Sequence, residues 1–185
     1  DRVHAILDGV ARRDLPVEMW VETRADMLTP DLLSLLARTG VHTVALGLES
    51  AVPRVLERSG KAIEPEAIRA AATTALAAGL DVELFSQYGL PGETRDDALQ
   101  TLRFVQDCGV AVRGNSNAQQ MQLYFGSAII RNPGAHGIQP LRDDLPPYLA
   151  LGDEFETEWM SRTEMDEVRA AWKAASTDGG KRIVS

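Results

Sequence analysis

LARTGVHTVALGLES, residues 36–50, joins the end of an apolar helix, a single glycine and a β-branched run that finishes in polar residues. Gly40 stands where a left-handed residue closes many helices. Val41, Thr43 and Val44 have the branching that fits a pleated surface. The unit recurs in LAAGLDVELFSQYG, residues 76–89, around Gly79, and in FVQDCGVAVRGN, residues 104–115, around Gly109. Alternating helices and strands predict a parallel sheet, because parallel neighbours need a crossover and a helix supplies it. The expected fold class is α/β.

Upstream, Val3, Ile6, Leu7 and Val10 share one helix face, and Val17, Met19 and Val21 alternate with Glu18, Trp20 and Glu22 as in a strand. Thr29-Pro30-Asp31 opens a helix with Leu32, Leu33, Leu35 and Leu36 on its buried side. Downstream, a helical segment breaks at Ser59-Gly60 and restarts near Pro65, running to Ala78. Thr94 and Asp97 form a capping box for the helix carrying Leu102, Phe104 and Val105. Beyond Gly126 the dipeptides Asn132-Pro133, Gln139-Pro140 and Pro146-Pro147 mark loop, and only Ser161 to Ser176 returns to a capped amphipathic helix. The chain thus divides into a core, residues 1–137, and a C-terminal loop-and-helix extension, residues 138–185. A closed (β/α) barrel takes about 250 residues. With four strands read and a helix at the start, this is either a small open sheet or a partial barrel.

Across 185 residues, 19 Lys and Arg stand against 27 Asp and Glu, a formal net charge of -8. Such a field repels phosphate backbones and anionic lipid, so nucleic acid is a poor partner. No apolar run reaches the roughly 20 residues that span a bilayer, and the expectation is a cytoplasmic protein. Cys108 is the only cysteine, which excludes an intrachain disulfide and a thiolate-rich metal site, while His4, His42 and His136 are scattered.

Ligands of parallel α/β folds bind at the carboxyl ends of the strands, and polar residues gather at the expected ends. Glu22 and Arg24 follow the first strand, Glu49 and Ser50 the second, and Gln87 and Tyr88 the third, before the turn Gly89-Leu90-Pro91-Gly92-Glu93-Thr94. Carboxylates accept from hydroxyl or ammonium groups and an arginine pairs with a carboxylate, so a zwitterionic or polyhydroxylated ligand would suit them. Plainer readings stand beside this one: an exposed Glu22–Arg24 ion pair, favourable charge at a helix start for Glu49-Ser50, and ordinary turn glycines at Gly89 and Gly92.

Taken in order, Glu22-Thr23-Arg24-Ala25-Asp26, Gly47-Leu48-Glu49-Ser50 with Gly60-Lys61, Tyr88 to Thr94, and Leu123-Tyr124-Phe125-Gly126-Ser127 resemble the radical S-adenosylmethionine enzymes. The similarity is greatest to the branch that often carries an N-terminal cobalamin-binding domain. The resemblance implies a partial TIM-type barrel and S-adenosylmethionine as cofactor, with cobalamin held by an upstream domain in some members. It implies that Glu49 and Ser50 face the ribose, that Arg24, with Glu22 nearby, meets the methionyl carboxylate, and that Gln87, Gly89, Gly92, Leu123 and Tyr124 line the adenine. Phe125-Gly126-Ser127 departs from the Pro-Gly-Thr run of many relatives. The family's three-cysteine loop, which holds a 4Fe-4S cluster, and its Gly-Gly-Glu segment are absent from this sequence. The chain then reads as the S-adenosylmethionine-binding half of a barrel whose intact parent opens radical chemistry, methylation included, on a small-molecule or peptide substrate. It would be inactive alone, would need an N-terminal part of the same enzyme, and would self-associate through exposed strand edges.

Two rival readings remain. One is a non-catalytic module that binds a nucleoside or a protein. The other is an unrelated α/β-barrel enzyme using Glu22, Glu49 or Glu93 as general base.

Overall fold

The computed structural model describes residues 2–113, 117–124, 126–140 and 155–176. Helix α1 (Arg2–Arg12) precedes strand β1 (Met19–Thr23), a 3-10 turn (Ala25–Met27), helix α2 (Pro30–Arg38) and strand β2 (Val41–Glu49). Then come α3 (Pro53–Arg58), α4 (Pro65–Ala77), β3 (Asp81–Tyr88), α5 (Arg95–Asp107) and β4 (Ala118–Gln120). A short helix α6 (Ala128–Arg131), an antiparallel ribbon of β5 (Ile138–Pro140) with β6 (Phe155–Thr157), and helix α7 (Arg162–Ala174) complete the described chain.

The four long-range strands form one parallel sheet in the order β1-β2-β3-β4. Parallel crossovers are right-handed, so strands laid down in sequence order place every crossover helix on the same face. This is a sector of a (β/α) barrel, as expected, and not a doubly wound sheet. The helix-covered face is apolar: Val44, Leu46 and Leu48 of β2 and Val82 and Leu84 of β3 pack in one core with Leu33 and Leu36 of α2, Ile68 and Ala72 of α4, and Val105 of α5. Along the other face the same strands present Glu22, Thr43, Glu83, Gln87 and Gln119. Parallel strands are normally apolar on both faces. A polar second face is the mark of a wall that lines a cavity.

Local signals act as read. Thr29 caps α2 by accepting from Leu32 N, while Thr94 with Asp97, and Ser161 with Glu164, close full capping boxes on α5 and α7. Both helices therefore start where the sequence placed them.

Two expectations need correction. Val110 to Arg113, read as the strand after Gly109, forms none, and the rest of that reading, residues 114–116, lies outside the described residues. Val110 and Val112 are buried, but Asn117 takes the place of a ladder: its Oδ1 accepts from Arg113 N at 3.2 Å and its Nδ2 donates to Ala111 O at 3.3 Å. Pairing with β3 starts only at Asn117, whose carbonyl accepts from Ser86 N. The helix read from Val3, Ile6, Leu7 and Val10 is present as α1, although of that stripe only Leu7 is buried while Val3 and Ile6 stand 49% and 55% exposed. The second correction is that the segment read as loop before Ser161 holds the β5–β6 ribbon, which buries Ile138 and Phe155.

Among the described residues no helix is long and apolar enough to cross a membrane.

Candidate functional site

A cavity of about 330 Å³ opens at the carboxyl ends of the four strands. Glu22 of β1, Gly47 and Glu49 of β2, Phe85 to Gln87 of β3, and Gln119 and Gln120 of β4 line it, with Asn117, Gln122 and Tyr124 completing the rim. This volume falls within the range of small-ligand sites.

Glu49 is the most constrained of these residues. Its φ of 63° is left-handed, a conformation that costs a non-glycine residue energy, and the β2–β3 register shifts between Gly47 and Glu49. The bulge turns Glu49 over Gly47, where an added Cβ would lie 3.4 Å from Oε1. Lys61 Nζ lies 3.2 Å from the same oxygen, leaving Oε2 without a hydrogen bond among the described residues. Lys61, quoted from the sequence among the residues of the resemblance but given no role there, thus joins the site through Glu49.

Glu22, Ala45 and Glu83 stand in register across the helix-free face, and small Ala45 leaves the two carboxylates flanking an open row. Arg113 Nη1 lies 2.8 Å from Glu83 Oε1, and Trp20 Nε1 donates to Oε2 at 3.2 Å. Trp20 also meets Phe85, ring to ring, at 5.8 Å. Glu83 is therefore neutralised and tied down, whereas Glu22 remains exposed beside the cavity.

The other expected site residues fall outside the cavity. Arg24 turns away: its guanidinium makes a forked contact with Asp26 at 2.9 and 2.7 Å and is 72% exposed. Neither the expected Glu22–Arg24 pair nor a cavity contact forms. Ser50 is fully buried, with Oγ accepting from Val52 N and 3.4 Å from Thr101 of α5, so it pins the end of β2 to a helix. Leu123 is buried in the core, and neither it nor Tyr124 lies on a strand of the four-stranded sheet. Gly89 and Gly92 also stand back. An added Cβ on Gly89 would sit 3.2 Å from the Met165 methyl, and one on Gly92 2.7 Å from Arg58 Cδ.

The turn they form is anchored from beneath. Glu93 is wholly buried, accepts from Leu90 N at 3.2 Å, and is pushed up to about 8 by its burial. A carboxyl held protonated and closed off from the cavity braces the turn and is no general base for a ligand there. Arg54 of α3 donates to Gly92 O at 2.7 Å and pairs with Asp97. Burial opposes ionisation of Asp97, yet hydrogen bonds from Thr94 and Arg54 hold it below the usual carboxylate range.

The residues fit a nucleoside-bearing zwitterion: Glu22 and the Oε2 of Glu49, without partners among the described residues, can accept from hydroxyl or ammonium groups, and side-chain amides can both donate and accept. They do not fit an iron–sulfur cluster. Cys108, the single thiol, is buried at the C-terminal cap of α5 and lines no part of the cavity. Burial also pushes its thiol pKa up.

Comparison with known proteins bears on the fold and the family. The chain is 30% identical over 115 residues to the heme chaperone HemW of Mycobacterium tuberculosis, covering 62% of this chain and 29% of that protein. It is 31% identical over 97 residues to an uncharacterized methyltransferase of Pyrococcus horikoshii, covering 52% of this chain and 21% of the other. The chain therefore spans less than a third of either relative's length. Among solved structures, the radical S-adenosylmethionine methyltransferase TsrM of Kitasatospora setae, with cobalamin and a [4Fe-4S] cluster bound, aligns with a TM-score of 0.67 at 16% identity, over 94% of this chain and 40% of that one. Coproporphyrinogen III oxidase (HemN) of Escherichia coli aligns at 0.64 and 15% identity, over 94% of this chain and 36% of that one. At these identities the likeness is one of fold. The sequence profile of the Radical SAM superfamily matches residues 3–105, more than half of the chain, and the chain belongs to that superfamily.

Proposed function

We propose that this chain forms the S-adenosylmethionine-binding wall of a radical enzyme. The observation that carries the reading is the polar cavity at the carboxyl ends of β1 to β4, with the Glu49 carboxylate held over it by a left-handed bulge and Lys61. In this reading Glu49 accepts from the ribose hydroxyls, Glu22 from the methionyl ammonium, and Gln87 and Gln119 meet the purine edge. Arg24, Ser50, Gly89, Gly92 and Leu123 act at a distance, shaping the strand ends that carry these groups. Bound cofactor would be cleaved reductively to start chemistry on a small-molecule or peptide substrate. The cluster supplying the electron, and any cobalamin, would be held by residues beyond this chain. The wall's own work is to bind the cofactor, hold it in one orientation and keep water from it.

Titration of the chain with S-adenosylmethionine by calorimetry tests the reading. Binding by the wild type, weakened about 10- to 100-fold by Glu49→Ala, is the expected result, since a charge-assisted hydrogen-bond pair contributes about 1.5–3 kcal/mol. A folded wild type that takes up no S-adenosylmethionine sinks it.

We also propose self-association through β1. Among the described residues its outer edge is unpaired, and Leu15, Val17 and Trp20, exposed, lie on or just before that strand. An edge with such neighbours is a template for another strand. Light scattering should show mass rising with concentration, and a monodisperse monomer throughout would refute the proposal.

A further inference from the structure

Helix α3 joins Glu49 to the lysine that holds it. Only Ser50 to Val52 separate the end of β2 from α3, and beyond the helix the chain turns back toward the strand end. Gly60, at a φ of 71°, donates from its N to Glu57 O at 3.0 Å, and Lys61 N donates to Leu56 O at 2.9 Å. This pair of bonds is a Schellman cap, which fixes Lys61 to the last turn of the helix. Where the outer end of α3 sits therefore decides where the Lys61 ammonium meets Glu49 Oε1.

Val55 and Leu56 bury the inner side of α3. Arg54 and Arg58, one turn apart and so neighbours on the helix surface, both meet Gly92. Arg54 donates to the Gly92 carbonyl at 2.7 Å, and the Arg58 stem packs so closely that a Cβ on Gly92 would lie 2.7 Å from its Cδ. Having passed that bare glycine, the Arg58 guanidinium lies over the ring of Trp159, with Cζ 4.4 Å from the centroid. A guanidinium in that position is attracted by the negative face of the indole. Trp159, in the C-terminal extension, is itself fixed. Thr157 Oγ1 accepts from Trp159 N at 3.2 Å and from Met160 N at 3.0 Å, and the indole fills the space that a side chain on Gly137 would need.

We infer that Arg58 and Trp159 are positioning residues for the cavity's carboxylate: their stack holds the outer end of α3, α3 holds Lys61, and Lys61 holds Glu49 over the strand ends. The C-terminal extension then serves the site without Trp159 lining it. On the cofactor reading given above, on which this inference rests for its ligand, loosening the stack weakens S-adenosylmethionine binding while the chain stays folded.

Trp159→Leu keeps an apolar side chain beside Gly137 and removes the ring face. In calorimetry on the 185-residue chain it is expected to weaken S-adenosylmethionine binding about threefold, the loss of one partly exposed cation–π contact. Trp159→Phe should recover part of the loss, and Arg58→Lys, which keeps the charge without the flat guanidinium, should resemble Trp159→Leu. A double-mutant cycle separates positioning from plain stabilisation: in a Lys61→Met background Trp159→Leu should weaken binding no further, because the group it displaces is gone. The full loss persisting in that background overturns the inference, as does unchanged affinity in both Trp159→Leu and Arg58→Lys. A second readout needs no ligand. The chain has three lysines, so the N-methyl carbon resonance of reductively dimethylated Lys61 is assigned by its disappearance in Lys61→Arg. Glu49→Gln marks the position of that resonance without the ion pair, and Trp159→Leu should move it toward the mark. Should Lys61→Met bind too weakly to measure, this resonance replaces the cycle. Should the wild type bind no S-adenosylmethionine, the cofactor reading falls and the resonance decides alone: movement upholds the support of Lys61 by Trp159, and a stationary signal ends the proposal.

Discussion

Gly40→Ala is expected to lower stability by about 3–4 kcal/mol, a large share of the roughly 5–15 kcal/mol that holds a typical domain together. Two effects add. At a φ of 80° an alanine enters the left-handed region at a cost of about 1–2 kcal/mol. Its Cβ would also fall 2.0 Å from the carbonyl oxygen of Val17, a backbone atom that no rotamer change can move aside. Relief requires separating the start of β1 from the α2–β2 turn. There Met19 N donates to Gly40 O at 2.8 Å, and the β1–β2 pairing begins. Gly79 and Gly109 are controls with nearly the same backbone, at φ of 83° and 68°, and nothing within 4 Å of an added Cβ. Their alanine variants should lose only the conformational part, about 1–2 kcal/mol. Urea denaturation of the three variants checks this. Equal losses would mean that Val17 has no part in the requirement for glycine.

Trp172→Ala is expected to cost about 3–5 kcal/mol, the range for removing a large aromatic from a core. Trp172 is 2% exposed on α7, and Met165 and Val168 of the same helix are fully buried in the cluster that holds the sheet's apolar side chains. If α7 is part of that core, urea should unfold helix and sheet in one transition shifted to lower concentration. Loss of α7 alone, with the sheet transition unmoved, would make residues 138–185 a separately stable appendage. The sequence marks this stretch as an extension because its loops break the repeating unit. The structure shows why its helix belongs to the core: α7 packs on α5 and β4, covering apolar surface there.

Much of the architecture was legible because its signals are local. Thr94 with Asp97, and Ser161 with Glu164, announce helix starts through bonds spanning three residues. Gly40 and Gly79 announce stops through backbone conformation, and the β-branched runs behind them announce strands. The resemblance carried by Gly47 to Ser50 and Tyr88 to Thr94 named the superfamily that the comparisons show. It also brought Glu22, Glu49, Gln87 and Tyr124 to one cavity.

What failed was what depends on partners distant in the chain or on small rotations at a strand end. Arg24 had Glu22 and Asp26 equally near in sequence, and the 3-10 turn after β1 settled the choice in favour of Asp26. Ser50 looked like a ribose ligand beside Glu49, but the left-handed bulge at Glu49 sends consecutive residues to opposite destinations, one to the cavity and one to Thr101. Asn117 replaced a ladder by bonding Ala111 and Arg113, a loop geometry that no alternation of apolar residues encodes.

The sequence by itself determined most helix ends, the first three strands of the sheet, its parallel sense and the superfamily, because capping, backbone preference and alternation act within a few residues. The tertiary structure alone decided which carboxylates are tied, that Lys61 holds Glu49, that Arg113 pairs with Glu83 while Trp20 donates to it, and that α7 orients Gln120. Each of those contacts joins residues 12 or more positions apart, with separations of 63 for Trp20–Glu83 and 42 for Arg162–Gln120. Hydrogen bonds and ion pairs at such separations depend on distances of a few ångströms that exist only once the sheet and its helices have packed.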